Sequence, residues 1–315
     1  MGITTTSLLS APVQASFAMR LLSVPVPYMI HSLCAEQKTM PKNGGTIFRQ
    51  RRYNPLGTAE VPLGNSGLTP PPQLLSALNV DCAMSFYGSY VMINEQITLQ
   101  AQDAPLNEAT RRLGVSAKQT EDVLLRQALE SSLVSINATS GVNGDLPTEV
   151  NTTDLQGVYK TLMKASAKPF LSGIQGENRF GSSPTREAFV ALAHSELIGQ
   201  LDACQGFVSK WNYPNQNTTM DEEYCSIANT RFMLSPIGSV TANASMLGND
   251  VYNIFIMGQE AFASVKMDQY SMQFIYLPPQ YSGPLALNCS AGYRFSHASV
   301  IQNDSWLAKF RVTLA

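Results

Sequence analysis

The sequence predicts an α+β chain, with helices concentrated in its middle and strands at its end. Three observations carry this. Apolar residues recur at helical spacing between Leu106 and Leu133; stretches rich in β-branched and aromatic residues crowd the chain after Tyr224; and no repeat of fixed period signals a solenoid or propeller. At 315 residues the chain has room for about two domains on a soft prior of roughly 150 residues each.

Residues 1–45 show no sustained period and close on Lys42-Asn43-Gly44-Gly45, a turn signal, so they read as an extended arm with at most one short helix. The apolar run from Leu8 to Ile30 is interrupted by Pro12, Arg20, Pro25 and Pro27, which fits neither a signal peptide nor a membrane span. Met1-Gly2 with Thr6 matches the N-myristoylation pattern, and the proline-broken arm is preferred over a lipid anchor. Residues 46–53 (TIFRQRRY) and 79–97 then have the texture of two strands. Between them, 54–78 holds Pro55, Pro62, Pro70, Pro71 and Pro72 with Gly57, Gly64 and Gly67, a composition that forbids helix and cannot continue a ladder. A loop of about 25 residues is long where compact domains use about 4 to 6, so it is either disordered or held by a partner. Its only charge is Glu60, unlike a disordered linker, which favours the partner.

Asp103 and Pro105 open the long helix as cap and first-turn residue. Leu113, Ala117, Thr120, Leu124 and Ala128 then recur at three and four, with Leu125, Leu129 and Leu133 beside them. Run from 106 to 133, this helix is about 40 Å long, with Gly114 a weak point near its start. A Gly/Asn/Pro loop at 141–150 precedes a second helix, capped by Thr153 or Asp154 and running through Leu155, Val158, Tyr159, Leu162 and Met163 to Lys168-Pro169. Residues 189–193 (FVALA) read as a buried strand, and Ser195 opens a helix through Leu197, Ile198 and Leu201 to Val208. Strands are expected at 231–235, 251–258, 261–267, 272–277, 291–300 and 306–312.

Charged residues make up 14% of the chain against a usual figure of about 25%, while the apolar share of 44% is ordinary. A neutral polar surface suits broad protein contacts, and equally a weakly charged monomer. The net charge is −2, and Arg49, Arg51 and Arg52, the densest basic cluster, are too few for an electrostatic nucleic-acid footprint. Cys34, Cys82, Cys204, Cys225 and Cys289 are scattered and never spaced as metal ligands, so they read as reduced thiols of a protein made in the cytosol. Sequons at Asn137 and Asn217 carry no weight without a secretory signal.

Phosphate-loop, dinucleotide and zinc-protease motifs are absent. His31, His194 and His297 stand alone and read as structural. Gly64-Asn65-Ser66-Gly67 has the order G-x-S-G, not the G-x-S-x-G of a nucleophile elbow. Cys204 or Cys225 with His194 or His297 would make a thiol–imidazole pair, but nothing local supports that geometry. Glu222-Glu223 sit in what reads as an exposed turn, where a solvated face or a cation contact outranks acid–base work; Asp221 and Glu222 are unsupported as metal ligands.

The run M-P-K-N-G-G-T-I-F-R-Q-R-R-Y-N-P-L (40–56), then S-F-Y-G-S-Y-V-M-I-N-E-Q-I (85–97), then the long helix, resembles the major capsid protein of tailed bacteriophages, in particular the branch typified by coliphage N-four. T-D-L-Q-G-V-Y-K-T-L-M-K-A-S-A-K-P (153–169) resembles that branch's helix after the spine, and M-G-Q-E-A-F (257–262) its G-x-x-A-aromatic strand. The resemblance covers most of the chain. It implies the Hong Kong 97 capsid fold: an N-terminal arm (1–45), an E-loop hairpin (46–97), a peripheral domain with spine helix (98–149), an axial domain (150–255) and peripheral return strands (256–315). It further implies a structural protein of the virion, not an enzyme and without cofactor or metal. Hexamers and pentamers would form an icosahedral head around double-stranded DNA, assembled in the host cytoplasm. Each E-loop would lie over a neighbouring subunit through Arg49, Arg51, Arg52, Tyr53, Pro55, Leu63, Leu68, Pro71, Tyr87 and Tyr90, in an obligate interface of about 2,000 Å² or more. Extended prolines lose little entropy on docking there.

Partners implied are further copies of the chain, a portal, a decoration protein, packaged DNA contacted non-specifically, and no membrane. A separate scaffolding protein is expected too, because the E-loop begins within about 45 residues of Met1. The alternatives are a tail or adhesion β-protein, which would lack the long helix, and a hydrolase using Cys204 or Ser66. One departure matters: the family's type member cross-links its shell through an E-loop lysine, and here no lysine occurs between Lys42 and Lys118. Shells boiled in denaturant are therefore expected to run as monomers on a gel; ladders of multimers would contradict this.

Overall fold

The computed structural model describes residues 26–60, 72–94, 105–170, 188–213, 222–268, 270, 272–278 and 287–314. The first half contains strands β1 (Glu36–Met40), β2 (Ile47–Tyr53), β3 (Ala77–Ala83) and β4 (Ser85–Asn94), helix α1 (Pro105–Glu130), strand β5 (Ser135–Asn137) and helix α2 (Thr152–Lys164). After β6 (Phe189–His194) come the short helix α3 (Ile198–Ala203), β7 (Val208–Ser209), β8 (Glu223–Ile227), β9 (Thr230–Ser235) and β10 (Ser239–Thr241). The end is β11 (Val251–Met257), β12 (Phe262–Met267), β13 (Gln273–Leu277), β14 (Asn288–Ile301) and β15 (Leu307–Thr313).

An eight-stranded sheet runs β5-β15-β11-β6-β9-β8-β7, with β10 also on β11. Both faces are covered, which is why its central strands read as unbroken apolar runs. On one face Phe189, Ala191, Phe232, Ile254, Ile256 and Phe310 pack against Leu155, Val158 and Leu162 of α2 and Leu201 of α3. On the other, Val190, Leu192, Met233 and Phe255 pack against Leu125 and Leu129 of α1. A five-stranded sheet runs β1-β12-β14-β13, with β4 also on β14. There the first half of α1 packs, Leu113 and Ala117 meeting Ala291, Tyr293 and Phe295. Strands β2 and β3 form a separate two-stranded hairpin.

Several details depart from the sequence reading. Residues 36–40, expected in an extended arm, form β1, paired in parallel with β12. The preceding residues are pinned as well: Ile30 and His31 are buried, and the Asp122 carboxylate of α1 accepts from the His31 and Ser32 backbone N–H groups at 2.9 and 3.1 Å and lies 2.7 Å from His31 Nδ1. The turn at 42–45 is present, with Asn43 and Gly45 at φ of 64° and 90°. The expected strand over 79–97 breaks at Met84 into β3 and β4, which enter different sheets. Helix α1 stops at Glu130, so Leu133 lies beyond it and is exposed. Its cap Asp103 lies outside the described residues. Helix α2 is capped by Asn151, whose side chain accepts from Thr153 N, while Asp154 instead accepts from the Thr139 and Ser140 amides at 2.9 Å.

The helix expected from Ser195 to Val208 is a 3-10 turn over Ser195–Leu197 and then α3, and Val208 starts a strand. Strand β15, close to the strand expected at 306–312, pairs with β11 in the eight-stranded sheet. Glu223, expected in an exposed turn, is buried on β8, where it binds Arg231 Nε at 2.8 Å and accepts from Tyr213 Oη at 2.9 Å. Asp221 lies outside the described residues, and among these no group of three or more metal-ligating side chains occurs.

Asp122→Ala would leave the buried His31 N–H and ring and the half-buried Ser32 N–H without their acceptor, a loss of about 3 kcal/mol. Urea unfolding should show that loss, with faster proteolysis near residue 30. Unchanged stability and cleavage would show that the Asp122 contacts do not hold the arm.

Candidate functional site

Self-association requires surface that the chain cannot cover itself. Strands β2 and β3 pair antiparallel from Ile47↔Ala83 to Tyr53↔Ala77. The two arms stay tied beyond the strands, by Asn54 N donating to Ser76 O at 3.0 Å and Gln73 Nε2 donating to Gly57 O at 3.0 Å. The proline-rich segment thus begins as a continuation of a hairpin. Residues 61–71, its middle, lie outside the described residues, and with them Leu63, Leu68, Pro71 and Ser66.

The hairpin's two faces differ. Phe48, Val80 and Cys82, with Met84, pack on Met40, Ala263, Val265, Ala298 and Val300 of the chain's own five-stranded sheet. The opposite face carries a charged and polar ladder: Arg49 donates through Nε and Nη2 to the Asp81 carboxylate at 2.7 and 2.8 Å, and Arg51 Nε donates to Asn79 Oδ1 at 3.0 Å. The Arg49 guanidinium, through its hydrogen bonds and charge, holds the exposed Asp81 carboxyl below its ordinary range. Arg52 points to the sheet side and donates to Gln302 O at 3.4 Å. Farther out nothing in the described chain covers the apolar side chains: Tyr53, Leu56, Leu75 and Leu78 are exposed, and Leu74 is 91% exposed. Pro55, just past β2, is exposed too.

Tyr87 and Tyr90, placed by the sequence reading on the same hairpin, lie on β4, which pairs with β14 in the five-stranded sheet. Tyr87 stacks on Phe295 with ring centres 5.7 Å apart and is used within the chain. Tyr90 points to the other face, where it is 69% exposed beside Phe86, Met92, Ile275 and Leu277, also exposed. Sequence reasoning missed these four and Leu74, Leu75 and Leu78. Period-two spacing of Phe86, Tyr90 and Met92 was the available signal. Gly88 and Gly292 make this face possible: a Cβ on Gly88 would lie 2.7 Å from Tyr293 O, and one on Gly292 would lie 2.8 Å from Tyr90 Cβ.

The thiols do not offer a nucleophile. Burial pushes Cys225 up to about 12 and raises Cys204, whose Sγ lies 3.7 Å from Val150 O, so neither is a thiolate near neutral pH. His194 caps the 3-10 turn by accepting from Glu196 N at 3.2 Å.

No family model matches the sequence, and no curated protein matches it. Solved structures do. The capsid of Ralstonia phage GP4 aligns at a TM-score of 0.69 with 11% identity, over 96% of this chain and 96% of that one. The capsid of cyanophage P-SCSP1u aligns at 0.67 with 10% identity, over 96% and 94%. The head of Helicobacter pylori bacteriophage KHP40 aligns at 0.67 with 11% identity, over 100% and 98%. At that identity the likeness shows the fold. The chain has the Hong Kong 97-type fold of phage capsids, and the match runs nearly end to end in both partners. These likenesses do not extend to the coliphage branch suggested by the sequence, which they leave as an expectation.

In the native, unassembled chain at pH 8, iodoacetamide should label Cys82, half-buried on the hairpin, before Cys34 and Cys225, which burial holds at about 12. Earliest labelling of Cys225 would reverse this order and reopen the nucleophile reading.

Proposed function

We propose that this chain is the major capsid protein of a tailed phage, building the hexamers and pentamers of an icosahedral head that encloses double-stranded DNA. The observation that carries this reading is a hairpin whose root is packed on its own sheet and whose outer half displays apolar side chains with no cover in the described chain. A soluble monomer gains nothing from Leu74 at 91% exposure, whereas a neighbour seated there removes it from water. The end-to-end likeness to phage capsids supports the same role. The arm then corresponds to residues up to about Met40, the E-loop to the β2–β3 hairpin, the spine to α1, the peripheral part to the five-stranded sheet and the axial part to the eight-stranded sheet. Arg49, Arg51, Tyr53, Pro55 and Tyr90 are its contact residues toward neighbouring copies, joined by Leu74, Leu75, Phe86 and Met92.

The head would hold the chain in the virion, with a scaffolding protein and portal as assembly partners and DNA as non-specific cargo. A tail or adhesion role fits less well, because a 26-residue helix spans both sheets here.

Co-expressed with the phage's scaffolding protein, the chain should give closed shells or capsomer rings by negative-stain microscopy. Shortening the hairpin by removing residues 58–72 should leave a folded chain by circular dichroism and reduce shell yield at least about tenfold. Discrete monomers from the intact chain under every condition would overturn the reading.

A further inference from the structure

The open face of the β4–β14–β13 ribbon carries a single side chain of fixed charge. Strands β4 and β13 hold no Asp, Glu, Lys or Arg, and β14 holds Arg294 alone. Arg294 is exposed and pairs with Gly88, so no side chain of β4 lies directly opposite it, and alternation puts it on the face of Phe86, Tyr90 and Ile275. Its guanidinium is held in place from within the chain. Nε and Nη2 both donate to Gln273 Oε1, at 3.1 and 3.0 Å, and Cζ lies over the Tyr270 ring, 5.4 Å from its centre. Both partners are neutral. No carboxylate among the described residues bonds Arg294, and a guanidinium has donors to spare beyond these two.

The chain's own hairpin runs the other way along β14. Its base closes beside β4, where Met84 N donates to Thr46 O, and farther out Gln50 and Arg52 bond Gln302, past the last residue of β14. Exposed Leu56, Leu74 and Leu75 lie beyond that point, with Glu60, the only charge in residues 54–78. Glu60 is exposed, accepts from Thr58 Oγ1 at 2.9 Å and meets no basic group among the described residues. An apolar surface with one free carboxylate and an apolar surface with one waiting guanidinium thus stand at opposite ends of the same sheet face.

We propose that Arg294 receives the Glu60 carboxylate of the next copy, so that one chain's hairpin end seats on the next chain's ribbon face in a fixed register. This pairing rests on the assembly reading and adds to it the landing place. Apolar contact between the leucines and the Phe86–Tyr90 face removes both from water, but it is non-directional and tolerates many offsets. The ion pair does not: every offset but one leaves a carboxylate and a guanidinium desolvated without each other, so the charges select register more than they add affinity. The two surfaces are different parts of the chain, which makes the contact heterologous, passed head to tail from copy to copy and closing into a ring where the rotation closes.

Shells or rings formed with the scaffolding protein supply the test. Glu60→Arg and Arg294→Glu should each lower their yield at least about tenfold, because like charges then face each other, and the two together should restore it to within about threefold of wild type. Circular dichroism should show all three variants folded, since both positions are exposed. A second measure reads proximity directly. Glu60→Cys with Arg294→Cys in one chain should, once the assembled material is oxidised, give ladders past the dimer on a non-reducing gel, and neither single variant should. Full yield from the single reversals, no recovery when they are combined, or no ladder from the assembled double cysteine variant would overturn the pairing and leave the assembly reading standing. Monomers alone from the wild type would overturn both.

Discussion

Helix α1 is the element on which the two sheets depend. Leu113 and Ala117 sit on the β14 side, and Leu125 and Leu129 sit on the β6–β11 side. From Leu113 to Leu129 the helix advances about 24 Å, so one rigid rod spaces two cores that share little else. The same rod holds the segment before β1, since Asp122, one turn before Leu125, takes the backbone of His31 and Ser32. A helix with an apolar stripe this long needs cover along its whole length, and the fold supplies it with two different sheets.

Strand β14 plays the complementary part in the five-stranded sheet. Its 14 residues are too many for one set of partners, and it exchanges them midway, with β12 on one stretch and β4 and β13 on the other. On the α1 side the β4–β14 ribbon buries Ile93, Tyr293 and Phe295; on the other side it leaves Phe86, Tyr90 and Met92 in water. A ribbon with one covered and one open apolar face has a built-in place for something else to lie.

How far the sequence could be read depended on where each residue's partner lies. The run Phe189–Ala193 was legible because a strand covered on both faces is apolar throughout, and α1 because its stripe is periodic over seven turns. Strand β1, with the sequence EQKTM, has no local signature; it is a strand only because Glu36 to Met40 pair with Ala263 to Met267, more than 200 residues away. Glu223 looked solvated because its partner Arg231 is reached through the β8–β9 turn, and Asp154 lost the capping position because the Thr139 and Ser140 amides claimed it. At the candidate surface the arginines and Tyr53 of the hairpin were legible as a strand. Tyr87 and Tyr90 were grouped with them because the break between β3 and β4 at Met84 leaves no mark in the sequence, and alternation then sends the two rings to opposite faces.

A two-stranded hairpin is marginal in water unless one face is packed. Here the requirement is met near the root: Phe48, Val80 and Cys82 rest on the parent sheet, while beyond Tyr53 the described arms are tied by the Asn54–Ser76 and Gln73–Gly57 hydrogen bonds and Leu56, Leu74 and Leu75 are exposed. Prolines at 55 and 72 restrict the backbone of both arms before any contact is made, so little ordering entropy remains to be lost on docking. The charged ladder on the outer face discourages stray chains from stacking on that face, because Arg49 and Asp81 would have to leave water or each other. A hairpin anchored at the root, with Leu56, Leu74 and Leu75 exposed farther out, fits the proposed seat on a neighbouring copy, which would remove those side chains from water.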